Sequence, residues 1–544
     1  MSKKVIYIFI FSLMSSAICA QKNYFTHADT LRGSITNERK WWDLKHYNLN
    51  YEVNLIDSTF KGSNIITYKV LSVGNTMQID LQTPMKITAI KQDNLNLTFK
   101  KDGSAYFVKL IKNQAIGSTQ KVQIFYEGKP KVSVNPPWSG GVTWSKDKDG
   151  NSFLATTCQG DGASLWWPCK DHMYDEPDSM LMQITVDQAY TAVGNGKLRS
   201  VKKLPNNKAQ YIWVVKNPIN NYGVNVNIAK YEHFKDVYMG ENGKLSCDYY
   251  VLKEDLDSAK KQFKQAHQML KAFEHWFGPY PFYEDGYKLV QVPYAGMEHQ
   301  SSITYGNGFK NGYKHKDVSH TQWGQKFDFI IIHESGHEWF ANNITYKDAA
   351  DMWIHESFTS YAEAIYVDYY YGKEASSEYI LGMRKDIKND RPLIGVYHVN
   401  YAGSSDIYNK GANMLHTLRQ LVKDDAKWNE ILRGMNREFY HQTVTSTQIE
   451  DYLTKATGIN LKPFFDQYLR DTRVPILEYQ VLGNNINFKW NNCVEGFNMP
   501  AKIKVNGEWI WVYPNQNWNA YSHKEKINEA IIDPNLYILT IGVN

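Results

Sequence analysis

The residues with the most to say about chemistry lie in the run Ile330-Ile331-Ile332-His333-Glu334-Ser335-Gly336-His337-Glu338-Trp339-Phe340. Two histidines four apart on a helix stand one turn above the other, so both imidazoles can bind one metal ion at about 2.0–2.1 Å. Glu334 is one step round the helix from His333 and within reach of water on that ion. His-Glu-X-X-His in a helical context therefore names a zinc site, with His333 and His337 as ligands and Glu334 as the base. A catalytic zinc takes three protein ligands and keeps an open position for water. Glu356, in Trp353-Ile354-His355-Glu356-Ser357-Phe358, is the candidate third ligand, with 18 residues between it and His337. His355 competes for that place, but two histidines and one glutamate form a known catalytic set.

Positioning these groups takes two helices that turn back on each other. Apolar spacing predicts helices over Phe327 to Asn342 and Met352 to Tyr371, and the intervening Ala341 to Asp351 is long enough to reverse the chain. Helix signals surround them. Ala259, Phe263, Ala266, Leu270, Phe273 and Phe277 recur at three and four before Gly278-Pro279, a further helix runs Gly411 to Val422, and Thr447 with Glu450 three residues on reads as a capping box. On either side the period is two. Leu49, Tyr51, Val53 and Leu55, then Val122, Ile124 and Tyr126, alternate with mostly polar neighbours, and the first 240 residues read as β. After Val474 the pattern returns, with Leu477, Tyr479 and Val481, a turn at Gly483-Asn484-Asn485, and Ile486, Phe488 and Trp490. The expected fold is an α+β multidomain chain: an N-terminal β domain over 21–247, an α-rich domain over 248–473 and a small C-terminal β sandwich over 474–544.

Length and composition agree with that division. A chain of 544 residues exceeds what one core usually supports, and 43% hydrophobic with 14% aromatic residues describes well-packed domains. Residues 1–20 read as a secretory leader: Lys3 and Lys4, an apolar stretch from Val5 to Met14, then small residues ending at Ala20. The apolar stretch is shorter than the roughly 20 residues a membrane span needs, and a lipoprotein reading through Cys19 is opposed by the bulky Ile18. Export to the periplasm or the exterior is the expectation, with the mature chain starting at Gln21. The net charge of +5 is small for this size and implies no nucleic-acid partner. Cys158, Cys169, Cys247 and Cys493 are too few and too scattered for a disulfide scaffold or a cysteine-zinc site. One disulfide between Cys158 and Cys169 and two free buried thiols both remain open.

With His-Glu-X-X-His, eighteen residues and then Glu in hand, the chain resembles the gluzincin metallopeptidases, and specifically the aminopeptidase N family. Gly296-Met297-Glu298, in Tyr294-Ala295-Gly296-Met297-Glu298-His299, is similar to that family's Gly-X-Met-Glu-Asn exopeptidase signature, with Ala295 in the first small position. Tyr408-Asn409-Lys410-Gly411 resembles its Tyr-X-Lys-Gly segment. The stretch from Thr157-Cys158-Gln159 to Trp167-Pro168-Cys169 and Asp175-Glu176-Pro177 resembles the amino-domain contribution to its site, and Phe465-Asp466-Gln467-Tyr468 also fits. The resemblance covers nearly all of the mature chain.

It implies a thermolysin-like catalytic domain, one zinc ion per chain and peptide substrates with a free N-terminus. It also implies roles: Tyr408 as the donor to the oxyanion, and Glu298 with Gln159 as the holders of the substrate ammonium. Ala295, Gly296 and Met297 would line the bound substrate, with the small side chains of Ala295 and Gly296 letting backbone approach as in an added strand. Two departures carry expectations. His299 stands where the family has Asn and, beside the ammonium site, would titrate near neutrality. About 70 residues of β pattern follow Val474 in place of the large helical domain of many relatives, so control of substrate length by that domain is expected to be absent or altered. The alternatives are a zinc endopeptidase, which would lack the ammonium site, and a non-catalytic peptide-binding protein on the same scaffold, which would have lost a ligand, the base or the tyrosine.

Overall fold

The computed structural model describes residues 25–543. The leader expected over 1–20 lies outside them. Two short helices, His27–Gly33 and Asn37–Lys40, stand before the first strand and interrupt the all-β reading of this region. An eight-stranded sheet follows, ordered Lys197–Leu204, Lys208–Val215, Ser179–Asp187, Trp42–Asn54, Thr59–Val70, Thr119–Gly128, Lys86–Gln92, Leu95–Asn96. Alternation does the work expected of it. In Trp42–Asn54 the residues Tyr47, Leu49, Tyr51 and Val53 are buried while Glu52 and Asn50 face solvent. Trp166 and Trp167 pack edge-on against Tyr51 and Tyr47 in this core.

A four-stranded sheet made of Thr191–Gly194, Val226–Ala229, Ser152–Thr157 and Gly141–Lys146 meets the second body. Strand Ser152–Thr157 is buried along nearly its whole length. Such a strand has a neighbour on both faces, and the Thr157 hydroxyl reaches Met297 Sδ at 3.1 Å across the boundary.

The boundary expected between 247 and 248 falls inside the strand Gly243–Leu252. That strand and Tyr231–Gly240 form a hairpin, and Gly243–Leu252, its inner member, pairs in parallel with Tyr287–Gln291. The hairpin thus belongs to a five-stranded sheet of the second body, completed by Ile303–Tyr305 and, at its edge, Gly296–Met297. A period of two is the same whichever sheet a strand joins, so alternation could not assign the hairpin.

The helices of the second body differ from expectation at their ends. The Ala259–Phe277 pattern is two helices, Leu256–Gln262 and Lys264–Phe277, the second stopping at Gly278 with φ of 95°. The expected Phe327–Asn342 helix is regular only over Phe329–Gly336, where the Asp328 side chain caps Ile331 N–H. It then widens into a single π turn, Glu338–Asn343, and breaks at Phe340. The capping box of the helix Ser446–Thr457 is Thr445 with Gln448, two residues earlier than the Thr447 and Glu450 pair; both pairs have the right spacing, and the chain enters the helix at the first.

The C-terminal region is the sandwich expected, a four-stranded sheet against a three-stranded one. In its first hairpin Leu477 faces Trp490, Tyr479 faces Phe488 and Val481 faces Ile486. Leu477, Ile486, Phe488 and Trp490 form its core with Phe497, Ala501 and Ile503. The four cysteines of the described chain are free thiols, and burial pushes Cys158 and Cys169 well up from the usual thiol range. Among the described residues no helix is long and apolar enough to cross a membrane.

Candidate active site

His333 and His337 lie on and just beyond the last turn of Phe329–Gly336, and Glu356 on the first turn of Trp353–Tyr371. Both imidazoles are held so that the same nitrogen faces inward. His333 Nδ1 donates to Glu363 Oε1 at 2.6 Å, and His337 Nδ1 donates to the Phe340 carbonyl at 3.1 Å. With Nδ1 carrying the proton, each Nε2 presents its lone pair. Those Nε2 atoms lie 3.7 and 3.5 Å from Glu356 Oε2. Glu356 Oε2 is buried and has no hydrogen-bond partner among the described residues, although a buried carboxylate oxygen normally has one. Three donor atoms that converge within 4.8 Å with an orphaned oxygen among them fit a zinc ion in a two-histidine, one-glutamate set. Burial opposes ionisation of Glu356, but His337 and His333 outweigh it and draw the carboxyl down to about 2.

His355 is excluded as a ligand. Its Nε2 accepts from Tyr346 N–H at 2.8 Å, its ring lies against Tyr346, and it is not among the three residues whose donor atoms converge.

Glu334 faces the same cavity, of about 400 Å³, as the three ligands. Burial, with the nearby Glu356 and Glu363 carboxylates, pushes its pKa up to about 7 against the pull of His333. A carboxylate poised there is matched to proton transfer at neutral pH. The bare Gly296 makes room for it: a Cβ at that position would meet Ile330 Cγ2 at 2.5 Å and Glu334 Cγ at 3.3 Å.

Tyr408 enters the cavity through a close helix contact. Gly411, in the helix Asn409–Val422, packs so tightly on Trp353–Tyr371 that a Cβ would fall 1.9 Å from Ser357 Oγ. The Ser357 hydroxyl in turn donates to Ile407 O at 2.6 Å. The contact sets the tyrosine ring beside His333, with centroids 6.1 Å apart. Burial and the surrounding carboxylates raise the Tyr408 pKa well above the usual phenol value, so it remains a donor.

At the other end of the cavity Gln159 bridges two carboxylates. Its Nε2 donates to Glu298 Oε1 at 2.7 Å and to Glu356 Oε1 at 3.0 Å. Because the ionised Glu356 only accepts, the amide nitrogen must face it, and Gln159 Oε1 is left to accept from a ligand. Glu298 also receives Tyr222 OH at 3.1 Å. Burial, followed by repulsion from Glu334 and Glu356, pushes the Glu298 pKa up to about 8. A cation arriving beside it relieves that repulsion. Ala295, Gly296 and Met297 line the cavity, with Gly296–Met297 at the sheet edge where an extended chain could add.

One expectation is corrected. His299 is fully buried, its Nδ1 3.3 Å from Thr304 Oγ1, and burial lowers its pKa to about 3, so it does not titrate near neutrality. Of the amino-domain segment only Gln159 reaches the ligands: Asp175 pairs with Lys170 inside the first body, and Trp166 and Trp167 are core. Lys410 and Gln467 bind backbone toward the C-terminal sandwich, at Asp471 O and Arg473 O.

Sequence reasoning missed Glu363, which orients His333 and is itself held by Tyr379 OH. A signal was present, since Glu363 follows Glu356 by seven residues, two turns along one helix face. It also missed Tyr222 and Asn342. Asn342 Nδ2 donates to Glu298 O and to Glu338 Oε1, both at 2.9 Å, tying the metal segment to the Glu298 loop. No spacing rule signals either residue.

Two sequence patterns match the chain in order: the Peptidase M1 N-terminal domain over residues 44–222 and the Peptidase family M1 domain over 261–468. The chain belongs to peptidase family M1. The N-terminal match ends before the 231–252 hairpin, in keeping with that hairpin's place in the second sheet. The M1 relatives are distant in sequence. Aminopeptidase 2 of Candida albicans is 19% identical over 494 residues, 86% of this chain and 52% of that protein. Probable aminopeptidase 2 of Sulfurisphaera tokodaii is 22% identical over 488 residues, 85% of this chain and 59% of that one. The chain thus spans between half and three fifths of the length of these relatives. An M1 zinc metallopeptidase mutant of Deinococcus radiodurans, solved with a Tyr-Ser-Ala substrate, superposes with a TM-score of 0.66 at 18% identity, covering 80% of this chain and 95% of that one. Its fold is the fold seen here.

Proposed function

We propose that this M1 chain is an exported aminopeptidase, with one zinc ion per chain, that hydrolyses the N-terminal peptide bond of peptides. The observation that carries the reading is the Gln159 bridge, which sets the Glu298 carboxylate beside the metal ligand Glu356. A carboxylate and an amide oxygen there suit a free ammonium one residue from the bond to be cut.

His333, His337 and Glu356 would hold a zinc ion, which would supply Lewis acidity toward the scissile carbonyl and toward water. Glu298 and Gln159 Oε1 hold the substrate ammonium, and so set which peptide bond lies beside Glu334. Glu334 takes a proton from the attacking water and passes it to the departing nitrogen, so the C–N bond breaks with the amine leaving neutral. Tyr408 donates its hydroxyl proton in a hydrogen bond to the oxygen that gains negative charge as the carbonyl becomes tetrahedral. Glu363 fixes the tautomer of His333 throughout. Export rests on the leader pattern of residues 1–20.

The test uses residues 21–544, with bound metal determined and hydrolysis of an aminoacyl fluorogenic amide compared with that of its N-acetylated twin, with and without a chelator. Cleavage of the free amine alone, lost on chelation and accompanied by about one zinc per chain, is the expected result. Equal cleavage of the acetylated twin would defeat the role given to Glu298 and Gln159 and favour an endopeptidase. N-terminal sequencing of the secreted or periplasmic protein checks export: a start at Gln21 is expected.

A further inference from the structure

The charges lining the cavity are unevenly divided. Glu298, Glu334, Glu356 and Glu363 cluster about the metal ligands, while the segments 383–388 and 405–409 form a separate wall that carries the lining's one lysine, Lys388, and no arginine. The acids of that wall are already engaged. Asp386 Oδ2 lies 2.7 Å from His320 Nε2. Asp406, buried, accepts the backbone N–H of Lys388 at 3.0 and 3.1 Å and of Asn389 at 2.6 Å. Those bonds clamp the 388–389 backbone onto the turn that leads, two residues later, into Tyr408. Lys388 Nζ donates to Ser405 Oγ at 3.3 Å, and among the described residues no carboxylate lies within ion-pair distance of it.

A short peptide at neutral pH carries an ammonium at one end and a carboxylate at the other. Glu298 and Gln159 take the first on one side of the metal ligands. We infer that Lys388, steadied by Asp406 and Ser405, receives the second: it is the C-terminal carboxylate subsite, and the enzyme's preferred substrates are short peptides with both termini free. This deepens the aminopeptidase reading and rests on it. Tyr408 and Lys388 line the same cavity, and the Asp406 clamp sets them on neighbouring turns of one wall, which the leaving portion of a peptide pinned by its ammonium and cut beside Tyr408 would meet. The cavity's volume of about 400 Å³ lies within the range of sites that enclose a small ligand. Longer chains would pass the lysine with an uncharged amide and gain nothing from it.

The experiment measures kcat/KM for alanine peptides of two to five residues, each as free acid and as C-terminal amide, with wild type, K388Q and K388E. An aminoacyl anilide, which has no carboxylate, reports wild-type activity. For at least one length the wild type should prefer the acid about fivefold or more, as suits a partly solvated charge-assisted hydrogen bond. That ratio should fall to about one in K388Q and invert in K388E, mainly through KM. A wild-type ratio near one at every length, with the anilide turned over, would overturn the Lys388 assignment alone, as would a preference that persists unchanged in K388Q. No turnover of anilide or peptide would remove this assignment together with the aminopeptidase reading.

Discussion

Glu363 makes a sharp prediction about metal binding that does not depend on turnover. It accepts from His333 Nδ1 at 2.6 Å, with the side chains 1% and 8% exposed, and its second oxygen receives Tyr379 OH. In Glu363→Ala the His333 N–H would lose its only acceptor in a site that water scarcely enters. A buried hydrogen bond to a charged group is worth about 1.5–3 kcal/mol. The ring would also be free to rotate and to carry its proton on either nitrogen, so the metal must select the right state. Loss of such outer partners typically weakens metal binding about 10- to 100-fold, which is about 1.4–2.7 kcal/mol and agrees with the hydrogen-bond figure. Glu363→Gln keeps an acceptor oxygen and loses the charge, and should cost about three- to tenfold. Equilibrium competition against a chromophoric zinc chelator at fixed pH reads this directly, with circular dichroism checking that each variant is folded. A folded Glu363→Ala chain with zinc affinity within about twofold of wild type would refute the reasoning, because His333 would then be oriented by something other than Glu363.

Three further outcomes follow from the geometry. Glu298→Gln removes the charge that faces the substrate ammonium, and should lower kcat/KM for a free aminoacyl amide about 100-fold while leaving the poor N-acetylated substrate nearly unchanged; a parallel fall for both would show that Glu298 is structural. The Lys170–Asp175 pair is buried, with the ammonium also 3.9 Å from the Trp42 ring centre, so Asp175→Asn should cost about 3–5 kcal/mol in urea unfolding and the double change with Lys170→Met less; no loss in the single variant would refute this. Glu176 is pushed up to about 8 by burial, which the Thr345 hydrogen bond only partly offsets, and its Oε1 has no partner. Its folded pKa lies above its unfolded one, so its stabilising contribution is full below about pH 4.5 and is lost as pH rises through about 8; relative to Glu176→Gln, wild type should therefore lose about 5 kcal/mol of stability across that interval, and a pH-independent difference would count against it.

Much of this protein was legible in its sequence because local periodicity and motif spacing are local physics. His333, Glu334 and His337 are read from one helix, and a carboxylate on the next helix was the only addition a catalytic zinc set required. The hairpin partners around Gly483 follow from alternation and a turn. The errors fall where a choice depends on residues far away in the chain. Alternation could not say which sheet Tyr231–Leu252 joins, since a strand's period is the same in either. His355 and Glu356 are neighbours, and only the seating of His355 against Tyr346 N–H removes it as a ligand. His299 looked like a titrating group until burial drove it neutral. The Gln159 bridge joins residues 139 and 197 positions apart, and the Asp406 clamp on Lys388 joins segments separated by a loop. The sequence by itself determined the paired histidines, the glutamate beside them and the run of elements. Only the tertiary structure decided which polar groups are desolvated, which are already partnered and which face one cavity, because burial and pairing belong to the packed chain and have no counterpart in any short stretch of it.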